Sequence, residues 1–214
     1  MFIFFSYVGR PETDMLRKAA MNQLGLGLYQ TGHYEDALPV QEAELAMERR
    51  HGISEHNMLI TQGNLALTYK ALGRLESALS MNRDVFLGFL KLYGEEHGST
   101  LLAADNYAST LSSLERYGEA SKLLRKLTPA ARRFLGEGNE TTLRMRWTFG
   151  EALYKDDGAT LDDLREAVDT YEDTERTARR VFGGAHPFTV DMEANLRKAR
   201  AVLRAREETP PGDV

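Results

Sequence analysis

Cysteine is absent from the 214 residues, which removes disulfide frameworks, thiolate metal sites and cysteine nucleophiles in one step. Proline is scarce, with 6 in all and two of them in the tail at Pro210 and Pro211, and alternating Val/Ile/Thr runs of the kind that build strands are missing. No basic tract exists either. Arg49-Arg50, Arg125-Lys126, Arg132-Arg133 and Arg179-Arg180 are interleaved with acids in a chain of net charge −5, so nucleic acid is not an expected partner. The apolar start, Met1 to Tyr7, lacks a basic flank and a cleavage site, and falls far short of the roughly 20 residues that span a bilayer. A soluble, cytoplasmic protein without membrane contact is expected.

What remains is rich in Ala, Leu, Glu, Arg and Met, with 28% charged and 42% hydrophobic residues. That balance supports a helical core and excludes disorder. The apolar material is also periodic over long distances. Ala37, Ala78, Ala120 and Ala167 lie 41, 42 and 47 residues apart, and Gly52, Gly94, Gly136 and Gly183 lie 42, 42 and 47 apart. Two markers with one period indicate stacked copies of a single unit. Asn64 to Tyr93 is the best-preserved copy: one helix, a Gly73-Arg74 turn and a second helix whose stripe of Leu75, Ala78, Leu79, Asn82, Phe86, Phe89, Leu90 and Tyr93 follows steps of three and four.

The first helix of each unit, termed A, carries a large residue followed by a small one: Leu24-Gly25, Leu65-Ala66, Tyr107-Ala108 and Phe149-Gly150. A second large residue stands four further on, at Leu28, Tyr69, Leu111 and Leu153. Such a face lets the second helix, B, approach closely. The units are joined by a glycine, a polar residue three later and a threonine six later: Gly94, His97, Thr100; Gly136, Asn139, Thr142; Gly183, His186, Thr189. The fourth unit has extra residues in its turn around Asp156 to Thr160, and Thr160 with Asp163 forms a capping-box pattern that predicts a helix start near Leu161.

These features predict one domain over 1–208, with repeats at about 11–52, 55–94, 98–136 and 139–183, a capping helix at about 186–206 and a disordered tail at 209–214. Residues 1–8 are expected to be the remnant of a preceding B helix. That apolar edge is the expected route of any self-association.

The Asn64-Leu65-Ala66, Tyr69, Gly73 and Leu75-Glu76-x-Ala78 residues resemble the tetratricopeptide repeat, in the 42-residue form found in kinesin light chains. The segment Tyr34 to Pro39 and the linker Gly183-Gly184-Ala185-His186-Pro187-x-Thr189 carry the same resemblance. Glu115 and Asp157 depart from it by replacing the turn glycine, and no heptad coiled coil accompanies the repeats. The resemblance implies an all-α solenoid: a right-handed superhelix of antiparallel helix hairpins, with A helices lining a concave groove that takes peptides or partner segments.

Candidate chemistry is sparse. The five histidines show no ligand spacing, and His97 and His186, at equivalent linker positions, are expected to serve helix starts. The pairs Glu95-Glu96, Asp156-Asp157 and Asp162-Asp163 fall in loops or first turns, where acids suit the helix dipole. Gly25-Leu26-Gly27 lies inside a helix without a Lys-Ser/Thr and reads as packing, not a phosphate loop. No catalytic, cofactor or metal residues are expected. Asn64 and Asn106, each one residue before a core position, are the foremost ligand candidates, because an amide donates and accepts at once. Projecting the A helices adds Asn22, Leu26 and Tyr29; Gly63, Leu67 and Lys70; Asp105, Ser109 and Ser112; and Trp147, Glu151 and Tyr154. This set is too poor in cations for a carboxylate clamp. A non-enzymatic interaction scaffold is the leading expectation, a regulatory repeat region of a larger protein the alternative, and an enzyme the least favoured class.

Overall fold

The computed structural model describes residues 15–208. The expected remnant at 1–8 and the expected tail at 209–214 lie outside that range. Among the described residues every element is helical: α1 (Met15–Gln30), α2 (Tyr34–His51), α3 (Glu55–Ala71), α4 (Leu75–Tyr93), α5 (Gly98–Ser113), α6 (Tyr117–Phe134), α7 (Glu140–Lys155), α8 (Leu161–Phe182) and α9 (Pro187–Glu208). They divide into two compact units, one ending at Leu92 and the other starting at Tyr93.

In the first unit α1 pairs with α2, α2 packs on α3, and α1 also touches α3. Leu38, Leu45 and Leu65 form its apolar centre, with Tyr69, Leu72 and Met81 packed around them. The small residue of the A helix has the predicted purpose. A Cβ on Gly25 would lie 2.9 Å from Cγ of Gln41, so α1 and α2 approach over that backbone. Gln41 is itself buried and its side-chain oxygen accepts a 2.7 Å hydrogen bond from Thr68, tying α2 to α3.

In the second unit α5, α6, α7 and α8 pack in sequence, α5 also meets α7, and α9 lies on both α8 and α7. Gly150 repeats the close approach, its hypothetical Cβ falling 3.0 Å from the ring of Tyr171. The marker alanines Ala37, Ala78, Ala120 and Ala167 are all fully buried.

Linker chemistry explains the helix starts. His97 Nδ1 accepts from Ser99 N–H at 3.2 Å, Asn139 Oδ1 from Thr141 N–H at 2.9 Å, and His186 Nδ1 from Phe188 N–H at 3.2 Å. Each satisfies an otherwise orphaned first-turn donor. The two histidines also stack on the end of the preceding helix, His97 on Tyr93 at 4.3 Å and His186 on Phe182 at 4.7 Å. Thr100, Thr142 and Thr189 are fully buried, so the linker threonine is a packing residue. The capping box at Thr160 and Asp163 is present in both directions.

Gly32 and Gly73 take φ of +81° and +72° in their turns, and Glu115 is forced into the same left-handed region at +58°. A side chain there costs about 1–2 kcal/mol, partly offset by glycine's larger unfolded-state entropy. Two outcomes follow for thermal melting of the intact chain. Glu115→Gly should raise the stability by about 1 kcal/mol, and Thr160→Ala, which removes the cap of α8, should lower it by about 1 kcal/mol.

Candidate functional site

In the first unit, the six candidates Asn22, Leu26, Tyr29, Asn64, Leu67 and Lys70 are all half-buried. Tyr29 leans on Tyr34 with ring centroids 5.4 Å apart. Asn22 belongs to a cleft of about 370 Å³ that also takes Lys18, Ala19 and Gln23 from α1, Glu44 and Glu48 from α2, and Asn57, Ile60 and Thr61 from α3.

The floor of this cleft is unusual. Glu44 and Glu48 are 1% and 0% exposed, one helical turn apart on α2. Lys18 Nζ lies 2.7 Å from Glu48 Oε1, while Glu44 Oε1 has no hydrogen-bond donor. Burial pushes the Glu44 carboxyl up to about 7, opposed by a hydrogen bond from Asn22, reinforced by the charge of Glu48 and opposed again by Lys18. Both acids also stand in the C-terminal half of α2, where the helix dipole offers no help to a negative charge.

The repeat makes their oddity plain. Counting seven and eleven residues from each marker alanine gives Glu44 and Glu48, then Val85 and Phe89, then Leu127 and Ala131, then Thr174 and Ala178. Every one of these positions is buried. Three copies fill them with apolar or hydroxyl side chains and one fills them with two carboxylates. Helical projection of the A helices does not reach the pair, because both acids belong to a B helix. The same register, applied to the B helices, would have exposed it.

The second unit brings its candidates together differently. Asn106 and Ser109 on α5 are half-buried, as are Trp147 and Glu151 on α7. The Asn106 amide oxygen faces Arg144 of α7 at 3.4 Å, and the same guanidinium pairs with Asp105 at 3.0 Å. Asp105 and Ser112, projected toward the groove, are buried instead. Glu151 pairs with Lys155 within its own helix at 2.5 Å. Trp147 meets Phe188 of α9, ring centroids 5.0 Å apart. Tyr154 is buried too, and its hydroxyl donates to Asn195 Oδ1 at 3.1 Å. Asn195 stands twelve residues after Gly183, as Asn64 and Asn106 stand twelve after Gly52 and Gly94. In this unit the recurring asparagine bonds to a neighbouring helix.

Among the described residues no group of three or more His, Asp or Glu is arranged to hold a metal, and no helix is long and apolar enough to cross a membrane.

Comparison with known proteins agrees with the architecture. Residues 57–133 match the family model described as tetratricopeptide repeat. Among solved structures, the TPR-like repeats of a Podosopora anserina protein named as a kinesin light chain superpose with a TM-score of 0.74 at 22% identity, over 90% of this chain and 89% of that one. BtubC (BKLC) from P. vanneervenii superposes with a TM-score of 0.59 at 13% identity, covering 93% and 84% of the two chains. Both share the all-helical repeat fold. A clustered mitochondria protein homolog from Ajellomyces capsulatus is 24% identical over 153 residues, which is 70% of this chain and 12% of that protein. The chain thus spans a small part of the curated relatives it matches.

The buried carboxylate yields a pH test. In the unfolded chain Glu44 releases its proton near the ordinary 4.5, but in the folded chain it holds it to about 7. Its raised value favours the folded state at low pH, and this advantage is lost as pH rises from about 4.5 through about 7. Glu44→Gln should therefore melt higher than the wild type at pH 8, by on the order of 2–3 kcal/mol, with the difference vanishing toward pH 4.5.

Proposed function

Because the chain is built of tetratricopeptide repeats of the 42-residue, kinesin-light-chain-like type, we propose that it is a non-catalytic interaction scaffold whose A-helix faces take a peptide or partner segment. The observation that carries this reading is the state of the six candidates on α1 and α3. All are half-buried, so amide, apolar and cationic tips are held on rigid helices at low entropic cost to binding. An extended segment would use the amides of Asn22 and Asn64 for its backbone and Leu26, Leu67 and Tyr29 for its apolar side chains.

On α5 and α7 the same reading assigns Asn106, Ser109, Trp147 and Glu151 to the face, with Arg144 holding Asn106 in place. Tyr154 supports the face from beneath through Asn195. A cytoplasmic setting without nucleic acid or membrane belongs to the same proposal and is supported by the absence of cysteine and of any basic tract. A second reading, a repeat region that works inside a larger protein, is favoured by the clustered mitochondria homologs, whose matching stretch is 12% of their length.

Peptides selected from a displayed random library against the intact chain provide the test. Asn64→Ala should weaken the selected peptides by about fivefold or more, corresponding to about 1 kcal/mol for a lost amide contact, with melting unchanged. Asn106→Ala should act less strongly, since its amide is already engaged. Undiminished affinity in the double variant would sink the assignment of the A-helix face.

A further inference from the structure

The cleft floor offers a more specific chemistry than the A-helix faces alone. Glu44 lines the cleft at 1% exposure, and its Oε1 accepts no hydrogen bond. Both oxygens of Glu48, 0% exposed, also lack a geometrically sound hydrogen bond, although Lys18 Nζ sits 2.7 Å from one of them. Among the described residues, two carboxylates are thus served by one ammonium. The α3 side of the cleft contributes Asn57, Ile60 and Thr61, none of which carries charge. Among the described residues the site is one cation short. A fold seeking stability alone would fill these two positions as the other three copies do, with Val85 and Phe89, Leu127 and Ala131, or Thr174 and Ala178.

We propose that the cleft between α1, α2 and α3 is a recognition pocket for a partner's arginine side chain, whose guanidinium bridges Glu44 and Glu48 while the Asn22 amide lines its edge. The inference rests on the scaffold reading and names the chemistry of the segment that would be bound. Arginine suits the floor better than lysine because its planar fork of donors reaches two carboxylates at once and sheds water more readily. Lys18 lines the cleft at 24% exposure and pairs with Glu48. Its ammonium must leave that carboxylate to admit the incoming group. Since burial holds the Glu44 proton up to about 7, a permanently charged guanidinium must displace that proton, so binding strengthens as pH rises through neutrality.

The test uses the full chain labelled with nitrogen-15 and two small probes, N-acetyl-arginine methylamide and its neutral counterpart N-acetyl-citrulline methylamide. Expected are saturable shifts of the Asn22 side-chain amide with the arginine probe only, about tenfold tighter at pH 8 than at pH 6. Glu44→Gln should abolish them; this variant is expected to be more stable, so loss of binding is not loss of fold. Lys18→Gln, which removes the competing cation, should tighten the probe severalfold. Equal shifts with citrulline, no saturation, or unchanged affinity in Glu44→Gln would each overturn the proposal. Library peptides that bind through Asn64 while the arginine probe stays silent would overturn this inference and leave the scaffold reading standing.

Discussion

The hairpins rest on one steric constraint: A and B helices approach so closely over small residues that at Gly25 and Gly150 no side chain fits between them. Ala37, Ala78, Ala120 and Ala167 are buried completely, and the A helices carry the small residues Gly25, Ala66, Ala108 and Gly150. At Gly25 and Gly150 the approach is tight enough that a Cβ would press on Gln41 or on the Tyr171 ring. A helix pair this intimate buries its large neighbours, such as Leu65 and Leu111, by geometry alone. The candidates on α1 and α3, with Asn106, Ser109, Trp147 and Glu151, are half-buried, whereas Asp105, Ser112 and Tyr154 are covered.

The linkers serve the constraint by setting where each helix begins. His97, Asn139 and His186 cap their helices and two of them stack on the preceding aromatic residue. His97 and His186 are therefore joints between helices, and their spacing follows the repeat. Where the repeat is stretched, the capping box of Thr160 and Asp163 restarts α8, and Arg206 of α9 reaches back to the carbonyl of Ala159 at 3.4 Å.

Glu44 and Glu48 run against this logic. They take positions that the other three copies fill with apolar or hydroxyl side chains, in the C-terminal half of α2, with fewer donors among the described residues than they can use. Burial of an unsatisfied carboxylate is a stability cost. Two such carboxylates one helical turn apart, lining a single cleft with α1, are what the proposed recognition pocket rests on.

The fold was legible in the chain itself because a solenoid is built from local contacts. The period of the marker residues, the A-helix small positions, the linker caps and the restart at Leu161 all express interactions between residues near in sequence or one repeat apart. The candidate faces were legible only as a helical projection, which predicts direction but not what lies opposite. Tertiary structure decided that Arg144 meets Asn106, that Asn195 takes the Tyr154 hydroxyl, that Asp105 and Ser112 are covered, and that Glu44 and Glu48 share one lysine. The physical reason is that periodicity specifies which side of a helix faces inward, whereas pairing and desolvation depend on the distance to side chains on other helices, a quantity no single helix carries.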